Sequence, residues 1–275
     1  MKVEGATGRD EGAVLDALRG QLNAGTMHGP ETSYFRRMWL WVIGLWEEEA
    51  PPVDPRGSIP YIPFSTSTLG VELTDASTVL DIGCYGGYGL FDVAMRQRVN
   101  GEALPRMIGI DVNPVSIKVA RELAESWTDG VDVTFFAAAA EALPVADGSV
   151  DIVTARLVLP YVRIREALSE IVRALKPGAC AILQPHAPAY YAQQFWRSLS
   201  SPVKAAYYLR PLFSGLAFSI SGHQFKHRWL AETAMGPRVL EKECRRAGLT
   251  RLAVGHQGPR PIFAYRKPDS SYRAT

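Results

Sequence analysis

The sequence predicts a doubly wound α/β fold: a mostly parallel, seven-stranded sheet with helices on both faces. Three observations carry this. Between residues 78 and 184 short apolar runs alternate with stretches of helical periodicity, the pattern of a parallel sheet covered on both sides. The run Thr78-Val79-Leu80-Asp81-Ile82 breaks into four glycines within residues 83–89, and helix-compatible sequence starts at Leu90, so a strand, a tight turn and a helix N-terminus follow one another. With 275 residues, 47% of them hydrophobic, the chain can also bury one sizeable core.

Taken in order, residues 1–76 predict an N-terminal helical cap and linker. A short helix from Asp10 precedes a stronger one over 32–46, rich in Tyr34, Phe35, Trp39, Trp41 and Trp46. These aromatics fit packing on the main domain or a lid over a ligand. Pro51, Pro52 and Pro55 end that helix, Pro60 and Pro63 keep the following stretch extended, and Tyr61 and Phe64 fit either packing or a ligand cover. Residues 77–187 form the core. Its strands are expected at 78–82, 106–111, 131–136, 150–155 and 179–184. Asn113 and Pro114 make a helix start, as cap and first helical residue. Ala167, Leu168, Ile171, Val172 and Leu175 share one helical stripe that Lys176-Pro177-Gly178 is expected to stop. Residues 188–235 read as a helical insertion for substrate, two or three short helices broken at Pro202, Pro211 and Gly215. Residues 236–268 complete the sheet with a helix and two strands, and 269–275 are expected to be a disordered tail.

Charge and composition exclude some functions. Thirty basic residues against 28 acidic ones provide no global field for nucleic acid, and none is expected as a partner. Cys84, Cys180 and Cys244 make no metal or redox spacing, so no metal is expected. The start of the chain is polar and mixed in charge, unlike a signal peptide. The longest apolar run, Met38–Trp46, is far short of the roughly 20 residues that span a bilayer. A cytoplasmic setting is the expectation, and oligomeric state stays open.

The glycine turn suits a polar ligand group at a helix start. Asp81 argues against a diphosphate there, since an acid would repel it. Asp111, at the tip of the second strand, is placed to accept both ribose hydroxyls of an adenosine.

The stretch Asp81-Ile82-Gly83-Cys84-Tyr85-Gly86-Gly87 resembles the cofactor loop of class I S-adenosylmethionine-dependent methyltransferases, Asp/Glu-x-Gly-x-Gly-x-Gly, with Tyr85 in place of one glycine. Ala140–Val153 resembles that family's stretch before strand four, and Arg165–Cys180 its helix and Leu-Lys-Pro-Gly-Gly turn. The likeness covers about residues 78–185. It implies a Rossmann-like fold, S-adenosylmethionine as cofactor, and in-line methyl transfer to an O, N or C atom of a small molecule. It places the cofactor on Asp81, Ile82, Gly83, Cys84, Tyr85, Gly87, Asp111, Val112, Asn113, Ala140, Glu141 and Arg156. The family's adenine-facing acid falls on Ala139 and its common histidine on the Pro160-Tyr161 pair. Catalytic candidates at strand ends are Arg156, Tyr161 and His186, the last as a base or a structural histidine.

From Ile171 through Ala231 there is no acid, while ten aromatics crowd residues 188–231. Tyr190, Tyr191, Trp196, Arg210 and Lys226 would suit an apolar or aromatic acceptor carrying a negative group, in secondary or lipid-like metabolism. The same residues would also suit a packed helical cap, or contact with a membrane surface, which nothing requires. Two other functions stay open: use of the cofactor for a non-methyl reaction or binding without turnover, and, fitting less well, nicotinamide oxidoreduction.

Overall fold

A computed structural model describes residues 61–127, 130–225, 232–257 and 260–269. The chain divides into two compact units, residues 59–121 with 128–275, and residues 1–58 with 122–127. Of the second unit only 122–127 are described, as the last turns of a helix. The expected N-terminal helices with their aromatics, Lys226, His227, Arg228 and residues 270–275 lie outside the described residues.

In chain order the elements are α1 (Thr66–Leu69), β1 (Thr78–Ile82), α2 (Tyr88–Asn100), β2 (Arg106–Asp111), α3 (Pro114–Trp127), β3 (Val133–Ala137) and β4 (Val150–Arg156). A single 3-10 turn, Leu159–Tyr161, leads to α4 (Ile164–Ala174), β5 (Leu175–Gln184), α5 (Pro188–Arg197), α6 (Pro202–Ser221), α7 (Pro237–Arg246), β6 (Thr250–Gln257) and β7 (Arg260–Arg266). The sheet has seven strands in the order β3-β2-β1-β4-β5-β7-β6. Strands β1 to β5 pair in parallel, and β7 runs antiparallel between β5 and β6. The order reverses between β1 and β4. Right-handed crossovers therefore put α2 and α3 on one face and α4 on the other.

Local sequence explains most element ends. Asn113 Oδ1 accepts the N–H of Val115 (3.0 Å), the cap that starts α3. Ile164, Ala167, Leu168, Ile171 and Ala174 of α4 are all buried, one stripe at helical spacing packed with Leu80, Ile82 and Val153 in a single core.

Two expected breaks fall elsewhere. The α4 helix ends at Ala174 because Leu175 is already extended (φ −65°, ψ 136°). Val150 pairs with Leu175 and Ile152 with Cys180, so Lys176-Pro177-Gly178-Ala179 bulges from the ladder instead of stopping the helix. In the region after β5, α6 runs unbroken through Pro211 and Gly215. The carbonyl of Pro211 is used by Ala234 N–H (3.0 Å), and a Cβ on Gly215 would strike the Ala234 carbonyl. Both residues serve the close approach of the returning chain, which periodicity along the helix does not reveal.

Candidate functional site

The C-terminal ends of β1, β2 and β4 meet where the strand order reverses, the crevice in which open α/β sheets hold ligands. Asp81 stands there, buried, on the face of β1 opposite Leu80 and Ile82. Register sets it beside Thr154 of β4. Its Oδ1 accepts Thr154 Oγ1–H (2.6 Å) and Tyr61 Oη–H (2.7 Å). Its Oδ2 is buried and has no hydrogen-bond partner among the described residues. Burial pushes the carboxyl up to about 6, against the opposing hydrogen bonds from Thr154 and Tyr61 and the charge of Arg156. A buried acid with one oxygen unused is costly unless a donor or cation meets it.

Tyr61 is tied to the site at three points. Its N–H donates to Asp92 Oδ2 (2.8 Å), its hydroxyl to Asp81, and its carbonyl accepts Arg156 Nη1–H (3.3 Å). The Arg156 guanidinium lies 4.4 Å from the Tyr61 ring centroid. A Cβ on Gly89 would collide with that ring, so this glycine of the turn makes room for a side chain. Burial, and next the Asp81 charge, push the Tyr61 phenol well above its ordinary range, so it remains a donor.

The turn after β1 is pinned by Gly83 and Cys84 N–H groups, both donating to the Ile110 carbonyl (2.8 and 2.9 Å). Tyr85 has φ +50°, the left-handed region where a side chain costs roughly 1–2 kcal/mol. That is the physical reason for a glycine in the family pattern. The Tyr85 ring is not in the core: it is half exposed and tilted against Tyr88 (centroids 6.1 Å). Its N–H donates to Asp111 Oδ2 (3.0 Å) and Asn113 N–H to Asp111 Oδ1 (2.8 Å), so two backbone amides orient the second acid.

The remaining expected cofactor residues divide. Ile82, Cys84 and Ala140 are buried, so what they can present is backbone. Val112 is exposed beside Asp111. Glu141 Oε1 accepts the N–H of Arg163 (2.7 Å), at the start of α4. Arg156 Nε donates to Gln184 Oε1 at the end of β5 (2.9 Å), which links the Asp81 end of the crevice to the next strand.

A second cluster begins two residues beyond Gln184. His186 stacks on Tyr190 (centroids 4.8 Å) and meets Tyr161 and Tyr191 edge-on (6.2 and 5.7 Å). Its Nδ1 is 3.2 Å from Tyr191 Oη. Tyr191 Oη–H donates to Glu232 Oε2 (3.0 Å), and Tyr207 Oη–H to Glu232 Oε1 (2.7 Å). Burial and then Glu232 push the Tyr161 phenol up to about 12; for Tyr207 the Glu232 hydrogen bond comes first, with the same result. Arg210 lies over the Tyr207 ring at 4.8 Å. Trp196 is exposed, with its ring against Phe195. The structure thus gathers Tyr161, His186, Tyr190, Tyr191 and, through Tyr207, Arg210.

Sequence reasoning passed over Thr154, Gln184 and Glu232 and left Tyr61 undecided. Two signals were there to use: Thr154 is a hydroxyl inside an otherwise apolar strand, and Glu232 is the first acid after the long acid-free stretch.

Residues 80–183 match the model of a family described as a methyltransferase domain. That match spans under half of the chain; it supports a class I S-adenosylmethionine-dependent methyltransferase domain there, with S-adenosylmethionine as cofactor. Among known proteins, the chain is similar to a ubiquinone/menaquinone biosynthesis C-methyltransferase of Methylobacterium nodulans, 36% identical over 113 residues. That match covers 41% of this chain and 43% of that protein, so the chain spans under half of that relative's length. A demethylmenaquinone methyltransferase of Thermus thermophilus is 28% identical over 197 residues, 66% of this chain and 82% of that one. The fold resembles the solved structure of an S-adenosylmethionine-dependent methyltransferase from Methanosarcina mazei at TM-score 0.50 and 21% identity, covering 72% of this chain and 95% of that one.

The residues present suit this cofactor. The unused Asp81 oxygen would meet its ammonium, Asp111 its ribose hydroxyls, and the backbone of Gly83–Gly87 the chain between them. Among the described residues no group of His, Cys, Asp or Glu is arranged to hold a metal ion, and no helix is long and apolar enough to cross a membrane.

Proposed function

We propose that the protein transfers a methyl group from S-adenosylmethionine to a small, apolar or aromatic acceptor. The observation that carries this is the aromatic cluster of Tyr161, His186, Tyr190 and Tyr207 at the end of β5, joined through Gln184 and Arg156 to Asp81. When bound, the cofactor supplies an activated methyl group on a sulfonium, so the chain's own task is alignment and exclusion of water. Asp81 and Asp111 hold the two ends of the cofactor. Tyr61 and Arg156 cover Asp81 from solvent. The tyrosines hold the acceptor, with Arg210 toward any negative group it carries, and Trp196 at the rim.

The names of the two similar methyltransferases favour a quinone-type acceptor ring, and the first of them favours C methylation. The reading includes a cytoplasmic protein of small-molecule, secondary or lipid-like metabolism; the three cysteines, all buried free thiols, suit a reducing setting. The test is incubation of the full chain with methyl-labelled cofactor and a panel of hydroquinones, phenols, amines and a transfer RNA. Label in the hydroquinone or phenol fraction supports the proposal. Tight adenosylhomocysteine binding with label in none of them favours a non-methyl use of the same site, and label in RNA overturns the small-molecule reading.

A further inference from the structure

The helix α6 is apolar on two opposite sides, and the fold covers one of them. Pro211, Ser214, Gly215 and Phe218 are buried on the side where the chain returns at Ala234. Ala206, Leu209, Phe213, Leu216 and Ile220 recur at spacings of three and four, which sets them in a stripe on the other side. Phe213 is 66% exposed, Leu216 58% and Ile220 78%. A helix apolar all round belongs inside a large core or in lipid. Three large side chains in one exposed line also differ from the single apolar residues scattered over ordinary surfaces. The hydroxyls beside the stripe are already satisfied. Ser219 Oγ–H donates to the Leu216 carbonyl (2.7 Å) and Ser221 Oγ–H to the Ala217 carbonyl (2.8 Å). Contact with an apolar medium therefore leaves neither proton without an acceptor.

Charge decides between the candidate neighbours. Residues 188–225, which hold α5 and α6, contain Arg197, Lys204 and Arg210 and no acid. Arg197 and Lys204 are exposed and stand at the junction of the two helices, by the N-terminal end of the stripe. The next acid, Glu232, receives the Tyr191 and Tyr207 protons on its two oxygens. A second copy meeting this surface through a two-fold axis would set positive charge against positive charge with no acid between. An anionic bilayer offers apolar chains beneath negative headgroups, and so complements both features. We propose that the exposed stripe of α6 docks on an anionic phospholipid surface. Phe213, Leu216 and Ile220 enter the headgroup–acyl boundary, and the basic end of the stripe faces the lipid phosphates. The helix lies on the bilayer; among the described residues no helix is long and apolar enough to cross it. The docking needs neither cofactor nor acceptor and so stands apart from the methyl-transfer reading. Because α6 also carries Tyr207, docking sets a helix of the aromatic cluster at a surface in which apolar molecules dissolve.

The test is sedimentation of the full chain with vesicles, of phosphatidylcholine alone and of phosphatidylcholine mixed with phosphatidylglycerol. Wild type should bind the mixed vesicles, bind the neutral ones about tenfold less, and dissociate as salt is raised. Phe213→Gln, Leu216→Gln and Ile220→Gln together should cut binding to the mixed vesicles by about 100-fold or more. The Tm of that variant should match wild type, because the three side chains are exposed. Ile220→Gln alone should cost about tenfold, and suffices should the triple variant fail to fold. Arg197→Gln with Lys204→Gln should cost about tenfold on the mixed vesicles and nothing on the neutral ones. No binding by wild type, equal binding to both kinds of vesicle, or binding that either set of folded variants retains in full overturns the proposal. A dimer in sedimentation velocity without lipid, dissociated by the stripe variants, overturns it too and makes the stripe an interface between copies. Vesicle binding as expected with no adenosylhomocysteine binding removes the methyl-transfer reading and leaves the docking in place.

Discussion

The two halves of the crevice are built in opposite ways. The Asp81 half stands on paired strands: Asp81 and Thr154 are neighbours in the β1–β4 ladder, and Asp111 ends β2 one strand away. Its key acid is almost fully buried. The His186 half stands mostly on the chain beyond β5: apart from Tyr161, in the turn after β4, its side chains come from the start of that chain, α5, α6 and the returning segment at Glu232, and several of its rings reach solvent. A buried acid with an unused oxygen is suited to one fixed cationic group. A half-open set of phenols can accept a range of flat, apolar molecules. On the proposed reading, the difference teaches that constancy of cofactor and choice of acceptor reside on separate pieces of chain, joined here by Arg156 and Gln184.

The comparison can be broken most directly at Asp81. Asp81→Asn should weaken adenosylhomocysteine binding by about 100-fold, the loss of a charged hydrogen bond in a buried site, measured by calorimetry at pH 7.5. The wild-type site should lose affinity as pH falls below about 6, where Asp81 protonates. Stability moves the other way. The folded pKa is raised above the unfolded one, so the contribution of this group is present below pH 4 and is lost as pH rises through about 6. The Tm of the ligand-free chain should therefore fall less steeply over that window in Asp81→Asn than in wild type, and parallel curves would remove Asp81 as the cause.

Asp111→Ala should come next, with at least a tenfold weaker adenosylhomocysteine Kd, about 1.5–3 kcal/mol for a hydrogen-bonded charged group. An unchanged affinity would take Asp111 out of the site. Tyr61→Phe removes one of the two donors on Asp81 Oδ1. It should raise the pH at which binding fades and cost several-fold in affinity at pH 7; loss of affinity with no pH displacement would make Tyr61 mere packing. Arg210→Ala acts on the other half, where Arg210 lies over the Tyr207 ring. It should raise acceptor KM a few-fold and leave cofactor affinity alone, whereas equal loss of both would show that the halves are not separate. The smallest change is expected for Tyr85→Gly. Relief of the left-handed strain and the added freedom of the unfolded chain oppose each other at about 1 kcal/mol each. Its Tm should barely move, and the N–H to Asp111 stays in place, so a loss of cofactor affinity would show that the Tyr85 ring itself covers the ligand.

The sheet was legible because each strand is a continuous apolar run and each covering helix carries its own stripe, as in Ile164, Leu168 and Ile171. Asp81 and Asp111 were legible because an acid at the end of an apolar strand has few structural uses. Features that depend on contacts distant in sequence were not. Pro211 and Gly215 look like helix breakers until Ala234 packs beside them, and Lys176-Pro177-Gly178 looks like a helix stop until the β4–β5 ladder excludes it.

The sequence by itself thus determined the order of strands and helices, the glycine turn and the two acids, since periodicity and glycine geometry act over a few residues. Only the tertiary structure decided that Tyr61 and Thr154 share one oxygen of Asp81, that Tyr85 holds Asp111 through its backbone, and that Glu232 stands behind Tyr191 and His186. Those hydrogen bonds join residues from 20 to 73 positions apart, and no local pattern encodes such a meeting: it exists once the sheet has brought the strand ends together.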